Sequence, residues 1–356
     1  MVHKEITVMK VGLLTSGGDC QGLNACLRGV AKTLYNLSPN VEIYGIEDGY
    51  TGLTTGQWRK MESSEFSGIL RQGGTILGTS RHGKKASQTA NHEDDTQQMV
   101  EQYKKGGLDA IVILGGDGTH RAAYDLSRAG VNIVTMPKTI DNDLWGTELT
   151  FGFDSAVEKA TFVIDAIHTT AAAHSRVFIV ELMGHHVGWI ALYAGIAGGA
   201  DVILLPEIPY DAEKVIDVIE ARNSAGKNFS IIAIAEGAVS LQEAQLSNEY
   251  RKTLSPTSMR LEAVLNQRLD QDVRVAIPGH YQRGGDPTPT DRLLCSRMGA
   301  KAGEMVITGE FGKMVAVRGE HIIGVPLEEV VGKLKSVPPD SEFIHQARML
   351  GVSFGD

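Results

Sequence analysis

The chain has 356 residues, 42% apolar and 22% charged, an ordinary globular composition long enough for two lobes. Its net charge of −9 argues against nucleic acid or an anionic membrane as partner, and any bound anion therefore needs locally concentrated basic groups. Three cysteines (Cys20, Cys26, Cys295) form no C-x-x-C, the opening MVHKEITVMK lacks an apolar core of signal-peptide length, and no run reaches membrane-spanning length; the expected setting is cytoplasmic.

In chain order, residues 9–16 (MKVGLLTS) read as a strand and 25–35 as a helix, with GGDCQGLN between them. This corner reads either as a phosphate loop built around Gly18 or as a tight strand–helix turn. Cys20 has no evident partner base and reads as a small filler. A second strand, 41–47, turns at Asp48-Gly49-Tyr50, where Tyr50 is equally a ring contact for a ligand or a core or surface tyrosine. A small-residue loop, GGTILGTSR, then ends in Arg81, and the polar stretch 82–95 receives no assignment.

The central stretch runs from 109 to 143. Residues 109–114 are too short for a helix and rich in β-branched side chains, so they read as a buried parallel strand. GGDGT follows, then a helix over 120–128 that Gly130 stops, then a strand over 131–136 ending on PKTIDND. Two strands thus finish side by side, and open α/β sheets bind ligands beyond the carboxyl ends of their strands. Glycines around Gly116 and Gly118 let main-chain N–H groups approach an anion, and the helix start behind Thr119 adds positive potential. Asp117 cannot attract a phosphate itself; with Asp143 it suits a Mg²⁺ that takes one or two carboxylates plus substrate phosphates. Asp141 is then left to accept a proton from an attacking hydroxyl. GGDGT alone serves equally as a packing corner with aspartate caps; PKTIDND at the next strand end tips the reading toward phosphoryl chemistry.

Further on, a helix over 154–172 carries Ala156, Ala160, Val163, Ile164 and Ile167 on one face. Strand 177–181 follows Arg176 and leads to Met183-Gly184-His185-His186; adjacent histidines do not face one another on a helix, and zinc is disfavoured. A glycine-rich helix (187–199), a strand (201–205), an amphipathic helix from about 211 and a strand (229–235) lead to Glu236. A helix over 259–269 and a strand over 273–277 bearing Arg274 precede PGHYQRGG. Arg176, Arg274, His280 and Arg283 each read alone as surface charges. Together they suit a dianionic phosphate, because arginine forks match its oxygens.

On GGDGT, PKTIDND, MGHH and GHYQRGG, the chain resembles the 6-phosphofructokinases, over most of its length. The resemblance implies an α/β fold of two Rossmann-like lobes with mainly parallel sheets flanked by helices. The donor lobe would comprise 1–152 and 282–332, the sugar-phosphate lobe 153–281 and 333–356. It implies transfer of the ATP γ-phosphoryl group to the 1-hydroxyl of fructose 6-phosphate in glycolysis, with Mg²⁺ on Asp117 and Asp143. Asp141, Arg81 and Thr139 would be catalytic; Gly18, Tyr50, Arg81, Gly116, Asp117, Gly118, Thr119 and Lys138 would meet the donor. Thr139, Asp141, Arg176, Met183, Gly184, Glu236, Arg274, His280 and Arg283 would meet the sugar phosphate. Arg176 and Arg274 would do so from a neighbouring subunit of a homo-oligomer, with a tetramer favoured over a dimer. This sequence departs from the family at Gln21, usually proline, and at His185, usually arginine.

The donor signals conflict. Pyrophosphate users typically carry aspartate where Gly118 stands, which points to ATP; Lys138 matches pyrophosphate users, although a flexible ammonium can also pair with ATP or turn into water. Arg28 and Lys227 match the family's effector pocket while His168 and Ala225 do not, so weak effector control is expected. A non-catalytic sensor could dispense with Asp141, and NAD or lipid kinases would share GGDGT without TIDND or GHYQRGG.

Overall fold

The computed structural model describes residues 8–80, 92–251 and 253–356, with side chains described for all of these except 92–94 and 248. The chain forms two compact units, residues 1–154 with 283–334 and residues 155–282 with 335–356.

The first unit opens with β1 (Lys10–Thr15), α1 (Leu23–Leu37), β2 (Glu42–Ile46), α2 (Tyr50–Thr55) and β3 (Trp58–Met61). It continues through α3 (His92–Gly106), β4 (Ala110–Gly115), α4 (Asp117–Arg128) and β5 (Ile133–Pro137). α5 (Phe153–His174) then carries the chain into the second unit, with β6 (Val177–Leu182), α6 (Trp189–Ala197), β7 (Val202–Leu204), α7 (Ala212–Ser224) and β8 (Ser230–Ala235). The short α8 (Asn248–Arg251), α9 (Thr257–Arg268) and β9 (Val273–Ala276) follow. The chain returns to the first unit for α10 (Pro289–Thr308), β10 (Lys313–Arg318), β11 (His321–Pro326) and α11 (Leu327–Val330), and α12 (Glu342–Met349) ends in the second.

The first sheet has the order β11-β10-β5-β4-β1-β2-β3, parallel at its centre, with antiparallel pairs only at its edges, β2–β3 and β10–β11. The second, β7-β8-β6-β9, is wholly parallel. β4 and β8 are buried along their whole length, as the β-branched, almost uninterrupted apolar runs require of central parallel strands. Each unit has its own core: Leu14, Ile111, Ile113 and Ile133 sit in one, and Ile179, Leu204, Ile232 and Leu265 in the other. Burying each such side chain stabilises the fold by about 1.5–3 kcal/mol before entropy is counted.

The helix that follows the first glycine loop is fixed by close packing. A Cβ on Gly299 would lie 2.8 Å from Gly29 Cα and from Cys26 O, so α1 and α10 meet backbone to backbone. That contact anchors α1 and with it the loop at its amino end. Cys20, Cys26 and Cys295 are all buried and unbridged, and burial pushes each thiol pKa up, as inert filler requires. Among the described residues, no helix is long and apolar enough to cross a membrane.

Candidate active site

Three strand ends converge in the first sheet. Thr15 pairs with Leu114, and Gly115 with Pro137, so the loops leaving β1, β4 and β5 emerge next to one another. The first of these, residues 16–22, is held by its carbonyls. Thr79 Oγ1 donates to Gly17 O at 2.7 Å, Lys138 Nζ donates to Gly18 O, and Arg283 Nη1 donates to Asp19 O at 3.1 Å. In a trans peptide the N–H lies opposite the C=O. Each pinned carbonyl therefore also sets the direction of the N–H that shares its peptide, those of Gly18, Asp19 and Cys20.

Lys138 thereby departs from its expected role. It is only 3% exposed and bound to a main-chain carbonyl, so it neither swings into water nor presents a mobile charge to a donor. Burial pushes its pKa down, and the Arg283 guanidinium adds to that effect. Tyr50 also needs correcting. It is fully buried and its hydroxyl donates to Thr119 O at 2.8 Å, so it braces the first turn of α4 and offers no ring face to a ligand.

α4 begins at Asp117, three residues earlier than its apolar pattern suggested, which places Asp117, Gly118 and Thr119 inside its first turn. Gly116 caps this helix with no side-chain acceptor, leaving the terminal N–H groups at the strand edge. His120, fully buried, holds that geometry: its Nδ1 lies 2.8 Å from Gly116 O, which also accepts from the His120 amide. Burial pushes its pKa down to about 4, so the ring is neutral and Nδ1–H is the donor.

Gly115 and Gly118 are glycines for different reasons. A Cβ on Gly115 would lie 2.2 Å from Thr119 Cγ2, so side-chain packing excludes one. Gly118 has no positive φ, and a Cβ there would meet nothing within 4 Å. Neither backbone conformation nor internal packing demands glycine at 118, which leaves room for something to approach.

After β5, Thr139 Oγ1 accepts from the Asp141 amide at 3.0 Å, and Thr139 O accepts from Thr150 Oγ1 at 2.8 Å. Asn142 takes a left-handed φ of 53° and accepts from the Thr150 amide at 3.1 Å. These bonds fix the turn that carries Asp141 and Asp143, both half-buried. Asp117 is half-exposed and paired with Arg121 Nε at 3.0 Å. Among the described residues no group of three or more His, Cys, Asp or Glu gathers as a metal cage. Mg²⁺ needs none, and carboxylates at neighbouring strand ends fit its preference for hard oxygens and retained water. Arg81 lies outside the described residues.

In the second unit, Leu182 pairs with Ala235, which puts Met183 and Glu236 at adjacent strand ends. Glu236 Oε1 accepts from the amides of Gly184 (3.2 Å) and His185 (2.8 Å), and Gln282 Oε1 accepts from the Met183 amide at 3.4 Å. His280 is exposed on the turn after β9. Arg176 and Arg274 are elsewhere. Arg176 precedes β6 and Arg274 sits beside Phe178, at the amino end of the same sheet, sharing Asp272 at 3.4 and 2.9 Å. One chain does not bring them to Met183 and Glu236.

The phosphofructokinase family model matches residues 10–306. The chain belongs to the phosphofructokinase family. The ATP-dependent 6-phosphofructokinase of Spirochaeta thermophila is 48% identical over 358 residues, covering 97% of each chain. The ATP-dependent 6-phosphofructokinase 3 of Bacteroides thetaiotaomicron is 44% identical, over 98% of this chain and 100% of the other. Among solved structures, the pyrophosphate-dependent phosphofructokinase of Nitrosospira multiformis matches 95% of this chain and 88% of its own, with TM-score 0.82 and 20% identity; it shares the fold.

Sequence reading missed His120, Asn24 and Asp272, and noted Gln21 only as a departure from the family. Asn24 donates to Gln72 O (3.1 Å) and Gly73 O (3.3 Å) and accepts from the Ile76 amide, ordering the loop that leads to Arg81. Its place at the start of a helix, directly after a glycine loop, was the one signal available.

Proposed function

We propose that the protein transfers the γ-phosphoryl group of ATP to the 1-hydroxyl of fructose 6-phosphate, giving fructose 1,6-bisphosphate in glycolysis. The observation that carries this reading is the junction of β1, β4 and β5, whose neighbouring carboxyl ends lead into the 18–20 loop, the start of α4 and the turn with Asp141. The naming of the curated relatives as ATP-dependent 6-phosphofructokinases supports it.

In this reading Gly18, Gly116, Gly118 and Thr119 hold the donor phosphates with main-chain amides, and Lys138 acts through the loop it pins. Arg81 bridges the donor phosphates. Asp141 takes the proton from the 1-hydroxyl as that oxygen bonds to the γ-phosphorus, and the bond to the ADP oxygen breaks. Thr139 keeps Asp141 in position through its amide. Asp117 and Asp143 would hold Mg²⁺, which would supply charge neutralisation for the transferring phosphoryl group. Met183, Gly184 and Glu236 contact the sugar, and His280 and Arg283 its 6-phosphate. Arg176 and Arg274 complete that contact in a homo-oligomer, with a tetramer favoured. The first unit is the donor lobe and the second the sugar lobe.

Purified protein given fructose 6-phosphate and Mg²⁺ with ATP or pyrophosphate in parallel tests this. ATP should be the faster donor. Gly118→Asp, whose carboxylate would fill the open space and repel an α-phosphate, should cut kcat/KM for ATP by at least about tenfold, roughly 1.4 kcal/mol. Faster turnover with pyrophosphate at saturating magnesium would overturn the donor assignment.

A further inference from the structure

The 18–22 loop and the segment at Arg283 and Gly284 are tied to each other in both directions. Gln21 is fully buried, and its Nε2 donates to Gly284 O at 2.8 Å. Arg283 Nη1 donates back to Asp19 O at 3.1 Å. The two bonds close a ring of contacts between residues 19–21 and 283–284. A third segment presses on it, for a Cβ on Gly73 would lie 2.2 Å from Gly285 O. Arg283 meanwhile keeps a buried Nε–H with no hydrogen-bond partner among the described residues. Its guanidinium is thus engaged by the loop through Nη1, so the aim of the fork follows the position of the main chain at 283–284. A guanidinium grips a phosphate well only when its planar fork is already oriented, because ordering a long side chain costs binding free energy.

We infer that Gln21 is a positioning residue for the sugar phosphate: from within the donor loop it fixes Gly284 and so aims Arg283 at the 6-phosphate. This rests on the assignment of Arg283 to the 6-phosphate made above. The consequence is asymmetric, since a residue of the donor loop governs affinity for the acceptor. Removing the Gln21 amide frees the main chain one residue beyond Arg283 but leaves the Lys138 and Thr79 bonds that shape the donor loop.

The test is a double-mutant cycle on Gln21→Met and Arg283→Ala in the full-length protein. Equilibrium binding of fructose 6-phosphate and of MgATP is measured separately. Gln21→Met should weaken fructose 6-phosphate binding about five- to twentyfold and change the MgATP Kd by less than about twofold. On an Arg283→Ala background the same substitution should add nothing, because its effect passes through that guanidinium. Unchanged sugar-phosphate affinity, equal losses for both ligands, or full additivity with Arg283→Ala would each overturn the inference. If Arg283→Ala alone leaves sugar-phosphate binding intact, the assignment of Arg283 falls, and this inference with it. Should Gln21→Met fail to fold, Gln21→Pro, the residue usual in the family here, serves as the second variant with the same expected split.

Discussion

At the scale of single residues, the proposed chemistry rests on the turn after β5. Asp141 hangs from an amide that Thr139 Oγ1 accepts at 3.0 Å, which fixes where its carboxylate begins. Asp141→Asn keeps the shape and removes the base. It should lower kcat by about two to four orders of magnitude, the usual range for general acid–base catalysis, and leave KM for fructose 6-phosphate nearly unchanged. Steady-state kinetics of the purified variant checks this, and retention of most turnover would exclude Asp141 as the base. The turn that carries Asp141 was legible in the sequence because its motif is local. Lys138 was misread for the opposite reason. Its character is set by Gly18, 120 residues away, and Gln21 by Gly284, 263 residues away, and no local pattern encodes either bond.

At the scale of elements, the glycine corners were legible and the boundaries less so. β1, β4 and β5 announce themselves as apolar runs, whereas α4 starts on Asp-Gly-Thr, poor helix formers with no capping side chain before them. β2 was legible, whereas its antiparallel partner β3, only four residues with a single buried side chain, and the β10–β11 hairpin were not assigned. α4 itself yields a pH prediction. His120 sits buried and neutral with its pKa pushed down to about 4 from an ordinary 6.5. As pH falls, the unfolded chain binds this proton first, so the contribution is whole above 6.5 and lost progressively down to about 4. At about 1.4 kcal/mol per pH unit, the loss across the window is about 3 kcal/mol. His120→Asn keeps a side-chain N–H for Gly116 O but cannot titrate, and should flatten this part of the curve. Urea midpoints of both proteins between pH 7 and pH 4 give the comparison; parallel curves would show that His120 is not the titrating group.

At the scale of the whole molecule, the second sheet separates residues that the proposed reaction needs together. Arg176 precedes β6 and Met183 follows it, so the six residues of the strand stand between them. At about 3.3 Å per residue that is roughly 20 Å, far beyond the reach of an arginine side chain. Arg274 lies with Arg176, and both engage Asp272, an exposed carboxylate that holds them as a pair at the sheet's amino edge. Two paired arginines so far from the sugar contacts of their own chain are explained if they serve the sugar phosphate of a second copy. Arg176→Ala or Arg274→Ala should therefore raise KM for fructose 6-phosphate about tenfold to a hundredfold and spare ATP, since a charge-assisted bond contributes roughly 1.5–3 kcal/mol. The shared arrangement makes a sharper demand. If Asp141→Asn subunits, which lack the base, are mixed with Arg176→Ala subunits, which lack the donated arginine, some sites in the hybrid receive an intact base from one chain and an intact arginine from the other. Activity should reappear in hybrids whose mixed assembly has been verified by native mass spectrometry. Hybrids no more active than the sum of their parents would mean that each chain binds its sugar phosphate alone, and Arg176 would then have to be assigned to something other than the active site.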